Sequence, residues 1–222
     1  MGFVETFLNW DVFVRSMPLL LTGLKVTAQL GVVSILAGLL LGLCVAMIRL
    51  YAFAPLQIVA KIYIDVFRSI PLLVLLIVVY YALPFVGLRL SPFMSAVCTL
   101  TVVSGAYTAE IFRAGIDAIP KGQFEAAHAL GLGFRHTMLD VVLPQAVRIV
   151  IPPLTNNSIN VIKDTALASV VAMPDLLKQA TQAQALEANP TPLIVAAIIY
   201  IACLWPLVLF VGRLESRMRS PR

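Results

Sequence analysis

The chain has 222 residues, of which 60% are hydrophobic and only 12% charged, whereas a soluble domain carries about 25% charged residues. A water-facing surface needs that missing charge, so a soluble globular protein is excluded and the apolar excess has to face lipid. Sixteen Lys and Arg against eleven Asp and Glu leave a formal charge of +5, but the basic residues sit at the ends of apolar runs, as in membrane proteins and not in nucleic-acid binders. The expectation is a single helical bundle in a bilayer.

In chain order, the start MGFVETFLNWDVF is acidic and lacks the basic stretch and cleavage site of a signal peptide, which predicts that it is retained. A helix crossing the hydrocarbon core needs about 20 apolar residues. Charge-free runs of 23 residues between Lys25 and Arg49, 20 between Arg68 and Arg89, 20 between Arg89 and Glu110, and 25 between Glu187 and Arg213 meet that length. They predict spans at 20–48, 62–86, 91–112 and 193–212. A fifth span, 141–162, has polar flanks and the right length, although it holds Arg148, Pro152, Pro153, Asn156, Asn157 and Asn160. Cys44, Cys98 and Cys203 lie in apolar stretches without ligand spacing and read as small buried residues, not as disulfides or metal ligands.

Five spans place the termini on opposite sides. With the C-terminus inside, nine basic residues are cytoplasmic (Arg49, Lys61, Arg113, Lys121, Arg135, Arg213, Arg217, Arg219 and Arg222) against four outside (Arg15, Arg89, Lys163 and Lys178). The positive-inside bias predicts an outer N-terminus and a cytoplasmic C-terminus.

Ionisable groups within spans face a bundle interior or a water-filled path. Asp65, Arg68, Glu110, Arg113, Arg148, Lys163 and Asp164 are the candidates. For Arg68 and Arg113 a plainer reading stands beside this one: either reaches the inner headgroups, and Glu110 and Arg113 neutralise each other at i,i+3. In the fifth span, Pro152-Pro153 frees backbone carbonyls and the asparagines add hydrogen-bonding groups. A broken helix of that kind is tolerated at membrane depth where it lines a cavity, which predicts a polar translocation path.

Residues 120–153 read PKGQFEAAHALGLGFRHTMLDVVLPQAVRIVIPP. A short amphipathic helix ends at Gly131, a position suited to left-handed backbone; on its own such a helix also reads as one lying on headgroups. His128 and His136 read as surface residues of this loop. Glu125-Ala126-Ala127, three residues, Gly131, nine residues, Val141, one residue and Leu143-Pro144 resemble the EAA loop of ABC importer membrane subunits. Val141 stands where that family commonly has Ile. Phe67-Arg68-Ser69-Ile70-Pro71-Leu72-Leu73, Ala106 to Arg113, Leu143 to Arg148 and Lys163-Asp164-Thr165-Ala166-Leu167 extend the resemblance to the polar amino-acid uptake permeases, the histidine/glutamate/glutamine/arginine group. It covers about 18–215, and Ser69-Ile70 departs from the Gly-Thr often found there.

The resemblance implies an all-α polytopic membrane protein, the membrane domain of a type I ABC importer over 1–222, with five spans and a cytoplasmic coupling helix at about 121–131. It implies that Glu125, Ala126, Ala127, Gly131, Leu143 and Pro144 couple the chain to a separate ATPase subunit, which holds the ATP and Mg. The chain itself has no phosphate-binding GxxxxGK[ST] loop. A second copy of the chain or a related permease, and an extracytoplasmic amino-acid-binding protein, are the other implied partners. The implied substrate path is Arg68, Asn156, Asn160, Lys163, Asp164 and Thr165: an amino-acid zwitterion needs a cation or amide for its carboxylate and an acceptor for its ammonium. Lys163 and Asp164 read equally as an outer gate ion pair or as a helix end. Two other classes remain, an ion-gradient-driven secondary transporter and a non-transporting scaffold, and neither explains the EAA spacing together with the asparagines and prolines.

Overall fold

The computed structural model describes Gly2 and residues 6–219; Arg222, one of the nine arginines and lysines placed inside by charge, lies outside them. Among the described residues there is no strand. The helices are α1 (Trp10–Tyr51), α2 (Ala54–Ser69), α3 (Leu72–Ile77), α4 (Pro92–Asp117), α5 (Lys121–Ala129), α6 (Phe134–His136), α7 (Leu143–Asp164), α8 (Leu176–Glu187) and α9 (Thr191–Arg219). Four stretches are long and apolar enough to cross a membrane: Trp10–Tyr51, Pro92–Asp117, Phe134–Val171 and Thr191–Ser216. The pair Ala54–Ser69 and Leu72–Val86 makes a fifth if it forms one broken span.

The prolines divide into two kinds. Ser69 ends α2 with its hydroxyl donating to the Asp65 carbonyl at 2.6 Å, and Pro71, at φ −58° and ψ 129°, caps α3. A proline donates no N–H and drives the preceding residue out of the helical region, so the stretch expected as a continuous 62–86 is interrupted here. Pro152 and Pro153, in contrast, sit inside an unbroken α7. They deprive the Arg148 and Ile149 carbonyls of their usual donors without ending the helix. The argument for a broken helix at that point therefore does not hold; the break lies at Pro71. Two π-helical stretches, Val78–Ala82 and Thr137–Val142, each end two residues before a proline, Pro84 and Pro144.

The chain divides into two compact units. The first comprises Met1–Leu36, Ile70–Thr101 and Ile159–Val208. One of its cores gathers Leu30, Leu76, Leu100, Val171 and Met173, and another gathers Leu20, Leu176, Ala180 and Val195. Small residues let the backbones close up. A Cβ on Gly23 would lie 2.8 Å from the Leu176 Cα, and the Thr27 hydroxyl accepts from the Leu176 N–H at 3.0 Å. Arg15 and Glu187 pair at 3.1 Å, tying α1 to the end of α8.

The second unit comprises Ala37–Ser69, Val102–Ser158 and Leu209–Arg222. Here α1 presents Gly38, Gly42 and Ala46 at four-residue spacing to Ser104, Gly105, Thr108 and Ala109 of α4, a small-residue seam of the kind that brings membrane helices close. A Cβ on Gly42 would stand 2.5 Å from Thr108 Cβ and 2.9 Å from the Gly105 carbonyl oxygen. The Tyr63 hydroxyl donates to the Val102 carbonyl at 2.6 Å. Cys44 and Cys203 are exposed, not buried as expected, and Cys98 is half-buried. An apolar residue on a membrane span meets lipid without penalty, so hydrophobicity alone did not place them inside.

Candidate functional site

The loop expected to couple to an ATPase is built in the second unit. α5 runs Lys121–Ala129 with Ala127 buried. Gly131 takes a left-handed φ of +75°. The Leu132 N–H donates to the Ala127 carbonyl at 3.0 Å and the Gly131 N–H to the His128 carbonyl at 2.9 Å. That double bond pattern is a Schellman cap, and it stops the helix and turns the chain. Phe124 packs on Ile119, Val142 and Ala146, which seats one face of α5. Glu125 and Ala126 stay exposed on the other, beside Leu130 at 80% exposure and Phe134 at 65%. Leu143 is half-buried and Pro144 exposed at the start of α7. From there the Gln145 amide donates to Gln123 Oε1 at 3.2 Å and to the Val141 carbonyl at 2.8 Å, linking the start of α7 to the start of α5. Gln145 was not singled out from sequence; its i+1 position after Leu143-Pro144 was the available signal.

The residues expected to line a substrate path are distributed between the units. In the second, Arg68 is exposed and its guanidinium carbon stands 5.4 Å from the Tyr107 ring centroid, a cation–π contact. Asn156, also exposed, donates to Glu215 at 3.2 Å. Asn157 turns the other way, donating to Ser104 Oγ and Thr108 Oγ1 at 3.2 Å each, and so acts as glue between α7 and α4. Arg113 is held by Glu110 at 2.6 Å and by Asp117 at 2.5 Å, a three-membered ion cluster of which the sequence showed the first pair.

In the first unit, Asn160 and Lys163 are exposed and Asp164 is half-buried. Residues three and four apart share one face of α7. Thr165 is fully buried, its hydroxyl donating to the Ile162 carbonyl at 2.6 Å, so it turns no hydroxyl outward. Lys163 borders an open recess of about 340 Å³ with Tyr200, Ile201, Leu204, Trp205 and Val208 of α9. Tyr200 and Trp205 lie about 14–21 Å along α9 from Thr191 at 1.5 Å per residue. Lys163 therefore borders the middle of α9, and the helical rod expected to end at 162 continues to Val171. The two aromatics were missed, since aromatic residues in an apolar span carry no pattern of their own.

Residues 12–220 match the model of the family described as binding-protein-dependent transport system inner membrane component. The chain belongs to that family. It is 38% identical over 216 residues to the arginine transport system permease protein ArtQ of Bacillus subtilis (strain 168), covering 96% of this chain and 98% of that one. It is likewise 38% identical over 216 residues to the L-cystine transport system permease protein TcyB of the same organism, covering 96% and 92%. Among solved structures, a crystal structure of an amino acid ABC transporter with histidines superposes with a TM-score of 0.87 at 35% identity, covering 92% of this chain and 96% of that one.

The family member is thus the membrane permease subunit of an ABC importer, not an enzyme, and belongs to a multi-pass inner-membrane class. Its ATP is hydrolysed by a separate subunit, and an ATPase and a permease partner follow from the family. Membership also decides against the ion-gradient-driven alternative.

Proposed function

We propose that this permease carries polar amino acids inward by alternating access, with substrate delivered by an extracytoplasmic binding protein and the stroke supplied by ATP and Mg on the partner ATPase. The observation that carries this reading is the Asn160–Lys163–Asp164 face of α7 beside the Lys163 recess. An ammonium and an amide there suit the substrate carboxylate, while the Asp164 carboxylate and the faces of Tyr200 and Trp205 suit its ammonium. Amino-acid permeases among the relatives, ArtQ and TcyB included, support the substrate class.

Arg68 and Asn156 complete the proposed path within their own unit; Thr165 positions the end of α7 from inside. For coupling, Glu125 offers an exposed charge, Ala126 and Ala127 allow close approach of the ATPase surface, and Gly131 with Leu143-Pro144 fixes how α5 is presented. The proposed orientation has the N-terminus outside and α5 in the cytoplasm.

The test is reconstitution into liposomes with the cognate ATPase and binding protein, followed by uptake of labelled arginine, glutamine, histidine and cystine. ATP-dependent accumulation of at least one is expected. Uptake driven by a sodium or proton gradient without ATP, or no uptake of any, would refute the proposal.

A further inference from the structure

Asp175 is a buried acid that plays no part in the transport reading. It sits in the first unit at the start of α8, 0% exposed, and one carboxylate oxygen, Oδ1, accepts from the Lys178 N–H at 3.1 Å as an ordinary helix cap. The other, Oδ2, has no hydrogen-bond partner, and neither does Oε1 of Gln179, one turn further on and 7% exposed. The surroundings are close-packed. The Leu176 N–H is held by Thr27 of α1 at 3.0 Å, and a Cβ on Gly23 would lie 2.8 Å from the Asp175 carbonyl oxygen. From α9, Tyr200 faces the same cluster with a buried hydroxyl that also has no hydrogen-bond partner.

The charged and titratable groups facing Asp175 are few. Lys178, on its own helix, is the cation that acts on it, Tyr200 is the titratable group from α9, and α1 offers a hydroxyl and backbone. Among the described residues no Lys or Arg pairs with it in a salt bridge. A carboxylate stripped of water and left without a cation is costly. Two unpartnered acceptor oxygens within one helical turn compound that cost. A single hydrogen on Oδ2 removes the charge and converts one orphan acceptor into a donor.

We propose that Asp175 is a proton-binding site: in its acid form it locks the start of α8 against α1 and α9, and loss of the proton loosens α8. Burial lifts this carboxyl from the usual 3.8 to about 6. The packed form then holds its proton more tightly than the opened form does. The lock is full below the ordinary carboxylate range and weakens as pH rises from about 3.8 to about 6, with no further change above. In the proposed orientation α8 lies on the outer side, so external pH would set the stiffness of that segment.

The experiment is hydrogen exchange of residues 176–187 in the full chain, held with its partner subunits in nanodiscs, with rates corrected for the intrinsic pH dependence. From pH 4.5 to 6.5 the opening equilibrium of the wild-type segment is expected to rise about twentyfold. In Asp175→Asn, which keeps the capping oxygen and cannot titrate, it is expected to stay flat. A flat wild-type profile, or the same slope in the variant, would overturn the proposal. So would a response to sodium at fixed pH, which would put a metal cation in the proton's place. Infrared difference spectroscopy of the wild type gives a reading independent of any variant's folding: a protonated-carboxyl band disappearing near pH 6 supports the site, and its absence refutes it.

Discussion

Asn156, Asn157 and Asn160 carry the same amide, yet the helix gives them different work. Asn157 spends its donors on Ser104 and Thr108, whereas Asn160 is exposed next to Lys163 and Asp164. Asn157→Leu is therefore expected to lower stability by about 1 kcal/mol, the scale of an interhelical hydrogen bond in a membrane. Its signature is faster thermal inactivation of the detergent-solubilised complex. Asn160→Leu should leave that inactivation rate unchanged. Asp164→Ala is expected to abolish uptake while the ATPase still co-purifies. Uptake at the wild-type rate would show that the carboxylate neither binds nor gates the substrate.

At the scale of elements, the Schellman cap and the small-residue seam are two places where geometry demands a glycine. At +75°, Gly131 occupies backbone that a β-branched residue adopts only at a cost of about 1–2 kcal/mol. Gly131→Val is expected to leave the spans folded and to raise ATP hydrolysed per amino acid imported severalfold, because α5 would be presented at the wrong angle. Comparing ATPase and uptake rates in the same vesicles checks this. Gly42→Val meets Thr108 and the Gly105 carbonyl, and overpacking of this kind costs about 1–3 kcal/mol. Reduced yield of assembled complex is the expected outcome, with Gly212→Val, where nothing lies within 4 Å of an added Cβ, as the control.

For the whole molecule, a permease of this family works beside a second permease and an ATPase. Gentle purification from the native membrane followed by mass spectrometry is expected to return one ATPase per copy of this chain. A second, related permease in equal amount would make this chain half of a heterodimer, with one proposed path in each half.

How much of this was legible in advance follows from what lipid and water enforce. A lipid-facing segment must be apolar for about 20 residues, so three of the charge-free runs fall on long apolar helices, Trp10–Tyr51, Pro92–Asp117 and Thr191–Ser216, without any knowledge of packing, whereas the fourth, 69–88, meets the break at Pro71. The short helix of the coupling loop and its left-handed end were also readable, because a glycine after an amphipathic turn is a local signal. Where two helices meet was not. Gly38 and Gly42 stand four residues apart, but the spacing has meaning only once Ser104, Gly105 and Thr108 lie opposite. Nor could the sequence say which proline interrupts a helix: Pro71 does and Pro152-Pro153 do not, because neighbouring structure decides whether freed carbonyls are tolerated. Composition and local pattern thus determined an all-helical membrane protein with a projecting loop. The tertiary structure alone decided that Asn157 is glue, that Thr165 and Asp175 are buried, and that Lys163 shares a recess with Tyr200 and Trp205, since a side chain's role depends on which helix packs against it.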